Sequence, residues 1–422
     1  MLFPWTLTLL LTLQSLLQSV AGFPGVKVLV SHRRGWHNEG STENITNYDE
    51  SPEPYYEDDL GHVHSLRDRK RDLRRRDGTV IRQPTVHPEM KFISQAPGVE
   101  LDSLIDFAYL DYAGSGVTIY IHDSGLNEIH EAFTGTLPAG VQRGRITVLQ
   151  PETTASGAKI PTVNGDPSGH GTCVADKAIG TYYGIAKGAN LVFIPMADLD
   201  KDDYMLAELQ KIVDDIKAKK DADPNFFAVV NLSYFLGDPL HKDSGLRDQY
   251  RQKYLAMIQQ GALLVTPAGN NGDRPVDDYP ALFAEEVAFE NNMIVVGSVD
   301  VYGQRSLFSQ VGWLVDTWAP GEIVTTIDHT AANDADKIKI QGVACAVKSG
   351  TTGTTEKWGT SFSAPQVAGL AAYLYSSDPS LRGADAAKKI ITKITDRNNG
   401  ASYKRRGSGR RSIWNLQYGT AC

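Results

Sequence analysis

The sequence predicts an α/β protein built on a parallel β-sheet that is buried on both faces. Three observations carry that expectation. Short, nearly all-apolar runs recur along the chain, at residues 117–121, 191–195, 226–232, 262–265 and 293–299. Helical patterns separate them: residues 205–217 place Leu206, Leu209, Val213 and Ile216 on one face, and 251–260 reads as a second helix. The texture also changes near residue 100, from charged blocks to alternating strands and helices. In such sheets ligands sit beyond the carboxyl ends of the strands, so chemistry is expected just after each run. No repeat of solenoid or propeller period is present.

The remainder of the 422-residue chain reads in order. Residues 1–21 have an apolar core from Leu2 to Leu17 and small residues at Ser19 and Ala21, which fits a secretory signal peptide. No basic residue precedes the apolar run, so an N-terminal membrane anchor is the competing reading. Residues 22–76 carry an acidic block, YDESPEPYYEDD at 48–59, and most of a basic one, RDRKRDLRRRD at 67–77. Such blocks stay solvated and disordered. The basic block offers a dibasic cleavage site after Arg76, and the segment reads as a removable prosegment, with a retained linker as the alternative. Asn44 opens a glycosylation sequon there. Residues 77–99 form a mature N-terminal arm, 100–385 the folded domain, and 386–422 a basic C-terminal extension. The net charge of −8 argues against nucleic acid as a partner, and past the leader no segment is long and apolar enough to span a membrane.

Four short strings carry chemistry. Asp123 ends the first strand in IHDSG, and His170 lies between glycines in HGTCVA at a helix start. Asn270 follows a strand in TPAGN, and Ser361 stands in GTSFSAP at the mouth of an Ala-rich helix. Alone, each residue has an ordinary structural reading as a turn former, core histidine or helix cap. Together they supply what a serine hydrolase needs. A serine hydroxyl is a weak nucleophile until a base takes its proton. His170 is expected to be that base, Asp123 to fix its tautomer and support its cationic form, and Asn270 to donate to the oxyanion beside the Ser361 N–H.

The order Asp, His, Asn, Ser and these strings resemble the subtilase family of serine endopeptidases, its secreted proteinase K-like and subtilisin-like members above all. YGIAKGANLVFIPM, VVNLS, MIVVGSVD, RSLFSQVG and WAPG are similar too, so the resemblance spans about residues 100–385. It implies a three-layer α/β/α fold with a central, mostly parallel seven-stranded sheet. It implies hydrolysis of internal peptide bonds through an acyl-enzyme, polypeptide substrates and a monomer. Residues 229–233 match the family's substrate-binding edge, and Ala268 and Gly269 match part of the pocket wall. Where the family often has Ser-Leu-Gly-Gly, this chain has Ser233, Tyr234, Phe235, Leu236 and Gly237, a bulky pair expected on the pocket rim. The Asn231 sequon lies in this strand and is expected to carry no glycan.

Three readings stay open at this level. Specificity is expected to be broad and apolar-leaning, with a basic-selective processing protease as the alternative through Asp238 and Asp273; a non-catalytic peptide binder is the third class. The chemistry requires no cofactor. Structural calcium is common in the family, but Asp200, Asp202 and Asp203 read first as a solvated loop. Of the three cysteines, Cys345 is expected to pair with Cys422, leaving Cys173 buried and free, with no disulfide at all as the alternative. The charged prosegment is expected to act as a partner of its own mature domain, in a protein that is secreted and extracellular.

Overall fold

The structure, a computed structural model, describes residues 55–57, 63–65, 78–85, 87–95, 100–327, 338–383 and 385–395. The chain divides into two units, 1–52 and 53–422, and the first lies wholly outside the described residues. The signal peptide, Asn44, the basic block, most of the acidic block and Cys422 also fall outside them. Among the described residues no helix is long and apolar enough to cross a membrane.

Two short antiparallel ladders come first in the chain order of strands: β1 Tyr55–Glu57 pairs with β2 Val63–Ser65, and β3 Val80–Pro84 with β4 Asp106–Leu110. The central sheet is formed by β5 Thr118–Asp123, β6 Ile146–Val148, β7 Asn190–Pro195, β8 Ala228–Asn231, β9 Leu263–Pro267, β10 Met293–Val299 and β11 Thr317–Pro320. Its order is β11-β10-β9-β8-β5-β7-β6 and every neighbouring pair is parallel. Strands β5 and β10 are buried along their whole length, which is why most of their residues are apolar on both faces.

Successive side chains of β5 point to opposite faces. Ile119 and Ile121 join one core with helices α2 His170–Ile179 and α5 Thr360–Ser377. Tyr120 joins the other, with α3 Asp202–Ala222 and α4 Ser244–Gln259. Helix, sheet and helix thus make three layers. From β5 the chain crosses to β6 at the sheet edge, returns to β7 between them, and then passes to β8 and outward to β11. The crevice between β5 and β8 is therefore the switch point, and Asp123 stands at its mouth.

The buried stripe of α3 differs from the expected one. It consists of Met205, Glu208, Leu209, Ile212 and Ile216, while Leu206 and Val213 are only partly buried. The helix turns because Glu208 has partners inside: it accepts from the Ala197 N–H at 2.9 Å and contacts His122 at 2.8 Å. Asp202 and Asp203 open this helix, where carboxylates favour the positive end of its dipole, rather than forming a separate loop. The N-terminal arm folds onto the body, with Glu89, Met90, Phe92 and Ile93 of α1 Pro88–Ile93 buried. At the other end, α6 Ala386–Thr395 buries Ala386, Ala387 and Ile390 in the same core. A further antiparallel pair, β12 Val324–Ile327 with β13 Ile338–Gln341, precedes a hairpin of β14 Val343–Ala346 and β15 Thr354–Lys357.

That hairpin corrects the cysteine expectation. Cys345 is bonded to Cys173, with Cα atoms 5.1 Å apart, not to Cys422. The reason is the placement of β14 along α2. Its Ala346 N–H donates to Asp176 of α2 at 2.7 Å, and its Ala344 N–H to Glu89 at 3.1 Å. Cys345, between them, is carried onto the face where Cys173 points inward, and both are wholly buried. Non-reducing peptide mapping should return a Cys173–Cys345 cross-linked pair; a Cys345–Cys422 pair would contradict the fold. Because the bridge closes 172 residues, a double Cys173→Ala, Cys345→Ala variant should lose about 2–5 kcal/mol in denaturant unfolding.

Candidate active site

The site is assembled from the ends of two strands and the starts of two helices. Asp123, fully buried, closes β5. Its Oδ1 accepts from the Ser124 N–H at 2.7 Å and lies 2.7 Å from His170 Nδ1. His170 opens α2, behind Gly169 in a left-handed conformation at φ 76°. Burial alone would lower the imidazole pKa; the charge and hydrogen bond of Asp123 outweigh it, Lys357 opposes and Asp166 adds, and the net direction is upward.

The helix start is fixed by residues that the sequence reading did not single out. Asp166 accepts from Gly169 N–H at 2.8 Å and from Thr172 N–H at 2.7 Å, so it caps α2 from four residues ahead of His170. It also accepts from the Ser124 hydroxyl at 2.8 Å, and that hydroxyl in turn accepts from Gly171 N–H at 3.0 Å. The residue after Asp123 and the residue after His170 are thereby tied together. The signal was legible as an Asp just before a helical pattern.

Ser361 sits in the first turn of α5, 6% exposed, where backbone N–H groups have no partner within the helix. Gly359, at φ 137°, gives the chain its entry angle. Thr360 is the organising residue. Its N–H and its hydroxyl both donate to Asn270 Oδ1 at 2.9 Å, and its hydroxyl accepts from Gly269 N–H at 3.3 Å. With Oδ1 occupied twice, Nδ2 is the end of the Asn270 amide left for another acceptor. Gly269 is obligatory here: φ is 113°, and a Cβ would fall 1.8 Å from Gln310 Oε1. Ala268, buried, is held by its N–H on Val296 O at 2.9 Å.

Asp123, His170, Asn270 and Ser361 are thus brought to one end of the sheet. The Phe362 ring packs on the His170 imidazole, centroids 5.0 Å apart. Among the described residues the Ser361 hydroxyl makes no hydrogen bond with His170. Such bonds commonly tighten only when substrate binds.

The expected substrate wall needs correction. Strand β8 is interior, paired with β5 on one side and β9 on the other, and Leu232 N–H still donates to Val265 O at 2.9 Å. Beyond it, the N–H groups of residues 233–235 have no partner among the described residues. Ser233 is buried and donates through its hydroxyl to the Ser361 carbonyl at 2.9 Å. Tyr234 is buried in the core rather than on a rim, and Phe235 is half-buried. Asn231 is wholly buried with its amide donating to Ser233 at 2.8 Å, which leaves no room for a glycan.

The sequence model of the subtilase family matches residues 114–409, more than half of the chain. The chain belongs to the subtilase family. It is 32% identical over 278 residues to subtilisin-like protease 2 of Trichophyton rubrum, covering 65% of this chain and 53% of that protein. The protein of the same name from Arthroderma benhamiae is 32% identical over 277 residues, with 65% and 54% covered. This subtilase therefore spans about half the length of the curated relatives it matches. A cold-adapted subtilisin-like serine proteinase of known structure shares the fold at a TM-score of 0.53 and 22% identity, covering 79% of this chain and 98% of that one.

Asp166→Ala should lower unfolding stability by roughly 1–2 kcal/mol, the usual cost of a lost cap, measured by denaturant titration. The loss should be accompanied by slower peptide hydrolysis, because the freed helix start carries His170.

Proposed function

We propose that this subtilase is a secreted serine endopeptidase that cuts internal peptide bonds through an acyl-enzyme on Ser361. One observation carries the reading: Asp123 and His170 are joined at 2.7 Å at the sheet end where Thr360 orients Asn270 beside Ser361. His170 removes the Ser361 proton as oxygen attacks the carbonyl carbon. Asp123 holds Nδ1 and offsets the imidazolium charge. The carbonyl oxygen, now negative, receives the Asn270 amide and the Ser361 N–H. His170 then protonates the leaving amine, and water repeats the sequence on the ester.

The wall at residues 233–235 supports binding of an extended main chain, since none of these N–H groups has a partner among the described residues. Half-buried Phe235 favours apolar side chains. Of the two acids that would favour basic substrates, Asp273 is already paired with Arg305 at 3.2 Å. A leader at 1–21 and a removable prosegment at 22–76 complete the reading as a zymogen. The catalytic steps use only the chain's own groups.

Ser361→Ala should abolish turnover without changing the circular dichroism spectrum; near-wild-type cleavage of a protein substrate would overturn the reading. Asn270→Leu should lower kcat by roughly 10²–10³-fold with little change in KM. The pH profile of kcat/KM should show an acid limb shifted upward from the ordinary imidazole value. His170 must be neutral to act as base, and its pKa is raised, so activity falls as pH drops through that raised value.

A further inference from the structure

Behind the site, on the opposite face of β5, lies a second arrangement of carboxylate, imidazole and hydroxyl. His122, the residue before Asp123, is wholly buried. Its Nε2 is 2.8 Å from Glu208 Oε2, and its Nδ1 is 3.2 Å from the Tyr234 hydroxyl. That hydroxyl is 3.1 Å from the hydroxyl of Tyr254, on α4. The His122 and Tyr234 rings meet edge to face, with centroids 5.3 Å apart. Glu208 and Tyr254 are also wholly buried, and Tyr234 is 4% exposed, so substrate has no access.

Counting donors gives the relay a direction. Tyr254 donates to Tyr234, Tyr234 donates to His122 Nδ1, and the His122 Nε2–H donates to Glu208, whose other oxygen takes the Ala197 N–H. In this arrangement every hydroxyl and ring hydrogen has an acceptor. Running it the other way strands the Tyr254 hydrogen among the described residues. A fully satisfied buried network is rigid, whereas one orphaned member is expensive.

The relay matters because of where Tyr234 sits. The segment 233–235 is held by backbone only at its margins, through Leu232 N–H on Val265 O and Leu236 N–H on Tyr279 O. Its middle is held by two side chains: Ser233 on the Ser361 carbonyl, and Tyr234 on His122. A leucine, as the family often carries after this serine, would fill the same core without fixing the segment to the strand that bears Asp123.

We propose that Tyr234 is a positioning residue: through the relay Glu208–His122–Tyr234–Tyr254 it fixes segment 233–235, and so sets how firmly an extended peptide is held beside Ser361. The proposal rests on the reading of Ser361 as the nucleophile. It concerns the grip on substrate main chain, not the chemical step.

The test uses the processed enzyme and two substrates: a single-residue ester that does not reach along the wall, and a peptide extending several residues before the cut. Tyr234→Phe keeps the ring and removes only the hydroxyl. KM for the extended peptide should rise roughly tenfold, the scale of one lost buried hydrogen bond, and by a clearly larger factor than KM for the ester. Glu208→Gln should act in the same direction, since an amide has one acceptor for two donors. The double variant should be no worse than the poorer single one, because residues 234 and 208 act through His122. If Tyr234→Phe does not fold, Tyr254→Phe removes the terminal donor with its ring in place, and a smaller rise in KM for the extended peptide is expected. Equal losses on both substrates, additive effects, or a lowered melting temperature with unchanged KM would overturn the proposal. A covalent titrant of Ser361 separates this from the reading beneath it: an undiminished burst in the variants keeps the nucleophile intact, whereas no burst in the wild type refutes both.

Discussion

The contact on which the arrangement depends is the hydrogen bond between Asp123 and His170. It joins the last residue of β5 to the first residue of α2, so it is available only if strand end and helix start are held in register. Ser124 and Asp166 supply that register by bonding to each other and to backbone N–H groups around His170. Asp123 is wholly buried, so its charge acts on the imidazole with little screening from water. The upward direction of the His170 pKa reflects that contact prevailing over burial. The pair stands at the switch point, where the sheet leaves a crevice and strands end together.

Ser361, the proposed nucleophile, is delivered from a different direction. Strand β15 leads through Trp358 and Gly359 into α5, and its partner β14 is fastened to α2 by the Cys173–Cys345 bridge and to buried Glu89 and Asp176 through alternate N–H groups. Burial pushes the Asp176 carboxyl up to about 6 despite Lys177, the Ala346 N–H, Lys187 and His130. The element that carries His170 and the element that precedes Ser361 are therefore joined covalently and through buried carboxylates. Thr360 then aligns the Asn270 amide with the same helix start. His170, Ser361 and Asn270 each rest on a separate support, and the supports converge on two helix N-termini.

Much of this was legible in the sequence, and the reasons are local. Strand β10 coincides with its apolar run at 293–299, and β5 runs two residues past the predicted end because His122 and Asp123 continue it as buried polar residues. The four chemical strings sit where strand ends and helix starts put them. What could not be read were relations across long separations between polar groups. Glu208 lies outside the apolar pattern of α3, and its partner, 86 positions away in the sequence, turns the buried stripe toward Met205, Glu208 and Ile212. Tyr234 looked like a rim residue for the same reason. The cysteine pairing depended on β14 lying beside α2, which no spacing in the chain encodes.

The most direct test is a crystal structure of the processed enzyme after reaction with a fluorophosphonate, whose tetrahedral phosphorus stands in for the transition state. The account predicts a single adduct on Ser361 Oγ. The phosphonyl oxygen should lie within hydrogen-bond distance of Asn270 Nδ2 and the Ser361 N–H, and His170 Nε2 should face the adduct with Nδ1 still on Asp123. An adduct elsewhere, or a phosphonyl oxygen turned to solvent away from Asn270, would contradict it.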